Sequence, residues 1–187
     1  MYTQSVGNKG KDITQIMNIT NVEQKPLVPT VIFELLSFVY SFKFDNDSDF
    51  SLKEPAELKK KLQFNHSKKY IWIFEQSIDD YFNLDKVLKN EFIKSEKVIE
   101  NIKFLFWKAC ECNDDGIRVV SDGDACLDKM HKDIKNRIIN DPKYQSSGID
   151  DFDIDKFIIA LLQYGVIKCQ ILLNPNEYEE VKNVASG

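Results

Sequence analysis

Ile149-Asp150-Asp151-Phe152-Asp153-Ile154-Asp155-Lys156-Phe157-Ile158-Ile159-Ala160-Leu161-Leu162-Gln163-Tyr164-Gly165-Val166-Ile167-Lys168-Cys169-Gln170-Ile171-Leu172-Leu173-Asn174-Pro175 is the stretch whose reading decides the fold. Its acids crowd the start, where carboxylates meet the positive end of a helix dipole. The residues that follow, roughly five turns, are apolar nearly all round, the mark of a helix buried on every side. Asn174-Pro175 closes the run. A length of about 20 residues would also suit a membrane span. Lys156 and Lys168 interrupt it, however, and Gln163 and Gln170 sit inside it, so the reading is a central core helix.

The segments upstream supply the layers around that helix. Pro26 and Pro29 mark the start of the body, and Thr30 to Phe44 gives an apolar first helix with Val31, Leu35, Phe38, Val39 and Phe42 at core spacing. Glu54-Pro55 opens a short helix carrying Leu58 and Leu62, proline being suited to a first helical position. Asn65 is placed to N-cap a long third helix through Tyr70, Ile71, Phe74, Ile78, Tyr81 and Phe82. Asn83 is read as its end, before a short restart from Asp85 to Phe92. Ser95 begins another helix on Val98, Ile99, Ile102, Leu105, Phe106 and Ala109. The last before the core spans Asp122 to Ile139, with Leu127, Met130, Ile134 and Ile138 inward, and ends at Asp141-Pro142. The fold expected is all-α, a bundle of five to seven helices around a buried C-terminal helix.

Residues 1–25 read differently. Ile13, Ile16, Met17, Ile19 and Val22 lie among Asn and Thr in a partly alternating, β-branched segment, as in a strand with one dry face. A lone strand needs a partner, and no other segment reads as one. The segment is therefore expected to be a short β-like arm that assembles with a second copy or another protein. The domain layout is an arm at 1–25, a helical domain at 26–176 and a tail at 177–187.

Composition limits the function. A net charge of −5, from 25 basic and 30 acidic residues, argues against a nucleic-acid binder relying on broad electrostatics. Seven glycines and five prolines suit long helices better than many-stranded sheets. Cys110, Cys112, Cys126 and Cys169 lie in or beside helical patterns, and Met1 to Asp12 has no apolar core of a signal peptide, so a cytoplasmic, reducing setting is expected.

Candidate chemistry is sparse. Cys110, Cys112, Cys126 and His131 have separations that zinc can use, but a Cys-x-Cys at a helix end lacks the usual knuckle spacing. Glu111 to Asp122 has the outline of a calcium loop, with Arg118 and Asp122 at positions that should be apolar and a bidentate Glu. Asp79-Asp80 and Asp150, Asp151, Asp153 and Asp155 are paired carboxylates better explained by capping. His66 and His131 read as surface residues on charged helical faces, and the two tryptophans, Trp72 and Trp107, as core. Phosphate-loop, dinucleotide and nucleophile-elbow motifs are missing from the sequence. The expectation is a protein without enzymatic activity, with no metal and no cofactor. Lys59, Lys60, Lys61, Lys68 and Lys69 beside Tyr70 and Trp72 form a basic, aromatic stretch; of these, Lys59, Lys60, Lys68, Lys69 and Trp72 are the candidate surface contacts.

Three segments together resemble one family. They are Leu62-Gln63-Phe64-Asn65-His66-Ser67-Lys68-Lys69-Tyr70, the end of the core helix Lys168-Cys169-Gln170-Ile171-Leu172-Leu173-Asn174-Pro175, and the N-terminal arm. They are similar to the helical C-terminal domains of bacterial ABC-three-component systems, the Lamassu-related antiviral defence group. The resemblance covers roughly residues 55–175 and its motifs are structural. It implies an adaptor subunit connecting an effector to an SMC-like ATPase and a middle component. The unpaired arm adds the expectation of a homo-oligomer, and contact with nucleic acid is expected to be indirect only. The chain departs from that pattern in lacking an effector domain, which leaves open whether it is a separate subunit or part of a larger protein. The alternative reading is a small nucleic-acid-associated regulator.

Overall fold

The structure is a computed structural model, and it describes residues 26–43, 57–112, 118–169 and 171–176. Residues 1–25, 44–56 and 177–187 lie outside the described residues, and with them the readings of the arm, of a helix start at Glu54-Pro55 and of the tail. Seven α-helices carry the fold: α1 (Pro29–Ser41), α2 (Leu58–Phe64), α3 (Lys68–Gln76), α4 (Ile78–Asn90), α5 (Ser95–Ala109), α6 (Gly123–Ile139) and α7 (Asp151–Lys168). A two-residue antiparallel ladder, β1 (Glu111–Cys112) against β2 (Arg118–Val119), joins α5 to α6, and a 3-10 turn at Tyr144–Ser146 precedes α7. The all-α bundle expected from the sequence is the fold observed.

α7 is the axis, and each of the other six helices packs against it. Phe157, Ile158, Leu161, Leu162 and Val166 are fully buried along it. Its last turn is closed by chain folding back: the Cys169 and Ile171 N–H groups both reach the Gly165 carbonyl, at 2.9 and 3.3 Å. The Ile171 side chain then lies directly over Gly165, where any Cβ would collide with it. Glycine is therefore required there by close approach rather than by a turn. The chain turns through Leu172 at φ 67, so the helix ends six residues before the expected Asn174.

Several helix ends are satisfied by side chains from distant helices. Buried Asn101 of α5 donates to the Val39 carbonyl, 2.8 Å away, at the end of α1. Residues leading into α1 are fixed by α4: the Leu27 N–H donates to Asp80 Oδ1 at 2.7 Å, and Asn83 Nδ2 donates to the Leu27 carbonyl at 3.3 Å. Unpaired backbone groups at such ends would cost about as much as lost hydrogen bonds.

Two boundaries differ from expectation. Asn65 is the C-cap of α2, not the N-cap of a long helix, and α3 starts after His66 and Ser67. The long third helix is interrupted at Ser77, whereas Asn83 lies inside α4. Ser77 Oγ is 3.2 Å from Gln163 Oε1 of α7, and Asn83 is accommodated because its amide holds Leu27. The buried face nevertheless runs on across the break through Tyr70, Phe74, Tyr81, Leu84 and Leu88. Ile78 and Phe82 lie beside that face and are 39% and 59% exposed.

Candidate functional site

The α2–α3 corner gathers most of the basic candidates. Lys59, Lys60 and Lys68 are exposed, and Trp72 is half exposed one turn further along α3. Lys61 departs from its neighbours: it is 2% exposed, and its Nζ donates to the Val166 carbonyl at 2.9 Å near the end of α7. A run of three lysines on a helix cannot place all three on one face, and here the third points into the core. Lys69 is neutralised by Asp128, at 2.7 Å to both carboxylate oxygens. Asp128 also accepts from the Tyr70 hydroxyl at 2.9 Å, and burial holds that phenol strongly toward its protonated form. The basic stretch thus divides into exposed Lys59, Lys60 and Lys68, a buried lysine and an ion pair.

Asp124 organises the same corner from α6. It accepts from Ser67 Oγ (3.0 Å), the Lys69 N–H (3.0 Å) and the Tyr70 N–H (3.3 Å). These are the orphan donors of the first turn of α3, so a carboxylate from another helix does the capping. Gly123, just before it, donates its N–H to the Asn65 carbonyl at 2.8 Å and lies so close to the Asn65–Ser67 turn that a Cβ would have no room.

Two of the segments that carried the family resemblance, around Asn65 and around Leu173, meet in space. Asn65 Nδ2 donates to the Leu173 carbonyl at 2.9 Å, and the Leu173 N–H donates to Asn65 Oδ1 at 2.9 Å. The same amide also reaches the Lys61 carbonyl at 2.8 Å. These residues are a structural clamp across the end of α7.

The acids are likewise occupied. Asp150 is the N-cap of α7, accepting from the Asp153 N–H at 2.7 Å. Lys135 bridges Asp151 and Asp155 at 2.8 Å each. Asp80 is buried, with Lys156 Nζ 3.7 Å away, and burial raises its carboxyl above the ordinary range despite that partner. The carboxylates therefore do not converge on a common centre.

Of the two histidines read as surface residues, His66 is exposed as expected and His131 is partly buried. His66 lies at φ 57 in the turn between α2 and α3, not on a helix. His131 is partly buried on α6, with Nε2 3.4 Å from Asp155 Oδ1, and burial lowers its pKa despite that carboxylate.

Among the described residues, no group of three or more His, Cys, Asp or Glu could hold a metal. Cys110 and Cys126 do approach each other, their thiols sharing a hydrogen bond, but His131 is engaged at Asp155 instead. In the calcium-like stretch, Asp122 N-caps α6 through the Ala125 N–H at 3.0 Å, and Glu111 accepts from Ser121 Oγ at 2.8 Å. Both are capping and turn bonds.

Sequence reasoning missed the exposed apolar side chains. Trp107, read as core, is 39% exposed, whereas Trp72, read as core but also kept as a surface contact, is 49% exposed. Four more lie on or beside the packed pair α1 and α4: Val28, Phe33, Phe82 and Ile93, the last fully in solvent. Phe33 stacks edge-on against Phe92, next to Ile93, with ring centroids 5.1 Å apart. Asn83, next to Phe82, holds Leu27, next to Val28, so both exposed side chains flank one hydrogen bond. Phe82 lies off the stripe that carries Tyr81, Leu84 and Leu88 into the core, and so stays outside.

No helix among the described residues is long and apolar enough to cross a membrane. The sequence matches no protein-family profile and no curated protein, and the fold matches no solved structure.

Proposed function

We propose that this chain is a helical interaction subunit acting without catalysis of its own, an adaptor in a bacterial multi-protein antiviral defence complex. The observation that supports it is the set of large apolar side chains on α1 and α4: Val28, Phe33, Phe82 and Ile93. Exposed apolar groups of this size serve association better than solubility. Val28 lies three residues after the arm at 1–25, so the arm and these side chains would act as one assembly surface. The partners in this reading are an effector, an SMC-like ATPase and a middle component, with a second copy joined through Ile13, Ile16, Met17, Ile19 and Val22.

Light scattering of the full chain, the chain lacking residues 1–25 and Phe82→Glu tests this directly. Loss of mass, or of co-purification with ATPase and middle component encoded alongside, is expected for both variants. A monomer at all concentrations that captures neither component would overturn the reading.

A second reading rests on Lys59, Lys60, Lys68 and exposed Trp72, a lysine and aromatic surface of the kind that binds single strands. It predicts DNA or RNA binding that weakens steeply with salt. No retention at low salt would eliminate it.

A further inference from the structure

We propose that Cys110 and Cys126 form a peroxide-responsive dithiol, which hydroperoxides convert to a disulfide tying the end of α5 to the first turn of α6. This site is independent of the adaptor reading. Cys110 is the residue after α5 and is half-buried; Cys126 lies in the first turn of α6 and is 6% exposed. Their thiols share a hydrogen bond, and neither is in a disulfide. Both line a cleft of about 180 Å³ together with Val120, Ser121, Asp122 and Lys129. A single water needs only about 10–15 Å³ of such space, so a small peroxide can enter.

The two thiols are not equivalent. Burial and the neighbouring Cys110 hold Cys126 strongly in its protonated form. Oxidation follows thiolate character and exposure, which assigns the first step to the more accessible Cys110. Its thiolate attacks a peroxide oxygen, the O–O bond breaks, and an alcohol or water leaves with a proton, giving a sulfenic acid. Cys126 Sγ then displaces hydroxide from that sulfur, and its thiol proton departs with it as water. Two thiols and one hydroperoxide become one disulfide, one alcohol (or water) and one water. The end of α5 and the first turn of α6 bring both residues to one cleft. The bond would close the chain around the β1–β2 ladder, fixing the connection between two helices that both pack on α7.

The test treats the full chain with hydrogen peroxide, blocks remaining thiols under denaturing conditions, and maps the peptides. Trypsin with a glutamyl protease cuts after Glu111 and so separates Cys110 from Cys112. Expected is a loss of about 2 Da per chain, located to a Cys110–Cys126 crosslink, reversed by dithiothreitol, with Cys169 still alkylated. In Cys126→Ser, a dimedone adduct on Cys110 should accumulate several-fold over the wild-type chain. A dominant pairing through Cys112, an intermolecular bond, or Cys110 passing to sulfinic acid while Cys126 stays a thiol would overturn the proposal. Should Cys126→Ser fail to fold, the wild-type map decides alone.

Discussion

At its N-terminus α7 is capped by its own residues, with Asp150 accepting from Asp153 and acids filling the first turn. At its C-terminus the helix is completed by residues about 105 positions away: Lys61 donates to Val166, and Asn65 grips both polar groups of Leu173. Both arrangements answer the same dipole, negative charge at one end and positive charge at the other. They differ in burial. Asp150 is exposed, whereas Lys61 and Asn65 are 2% and 1% exposed. A cap in water can be replaced by water; a cap in the core cannot. The C-terminal end should therefore bear far more of the fold's stability, and it also joins α2 to α7, which the local cap cannot do.

Asn65→Ala should break this contrast most severely. It leaves the part-buried N–H and C=O of Leu173 unpaired, while the Lys61 carbonyl keeps the backbone N–H of residue 65 at 3.2 Å. At about 1–3 kcal/mol per unsatisfied group, partly relieved by water at Leu173, the expected cost is about 3 kcal/mol, or roughly 6–12 °C in Tm. Thermal unfolding followed by circular dichroism reads it. A shift under about 2 °C would show that the clamp contributes little.

Lys61→Met comes next. It keeps the aliphatic stem and removes the charged donor to Val166, with an expected loss of about 2 kcal/mol. Lys59→Met, on the exposed face of the same helix, should stay within about 0.5 kcal/mol. Equal effects of the two in a chemical denaturation series would contradict the division of the lysine run into buried and solvated members.

The contrast also explains what the sequence could convey. α7 was readable because its cap, its acids and its apolar run are neighbours in the chain. Asn65 was recognised as a boundary residue but given the wrong side of it, because an asparagine serves either helix end and its choice here depends on Leu173, far along the chain. Lys61 looked solvated because its acceptor is a backbone carbonyl on another helix. Ser77 gave no sign of a break, since the apolar period continues across it and the interruption is fixed against Gln163. Phe82, read as core, lies at the edge of that stripe and is exposed, and with it the candidate interface. The thiol pair was half legible: the cysteines were noted, but for a metal, because their apposition arises only when α5 and α6 pack.

Asp150→Ala tests the local end. Loss of an N-cap costs about 1 kcal/mol, and nearby Asp151 and Asp153 still complement the dipole. The effect should be about a third of that of Asn65→Ala, read on the same denaturation curves.

The smallest expected effect is a pH slope at this same end. His131 faces Asp155 and Lys135, with Asp128 and Lys69 beyond, and burial lowers its pKa from 6.5. Below that value the unfolded chain takes up a proton that the folded chain refuses, so His131 supplies stability above pH 6.5 that is lost as pH falls through its folded pKa. Asp80 acts with the opposite sign. Its raised pKa means that ionisation above 3.8 removes stability, progressively until pH passes its folded value. Comparing chains that differ only at position 131 isolates the histidine from that background. His131→Gln should lose less stability than the natural chain between pH 7 and 5, with the two curves parallel above about pH 7.5. Parallel curves across the whole range would mean that Asp155 just offsets burial, so that His131 has the same pKa folded and unfolded.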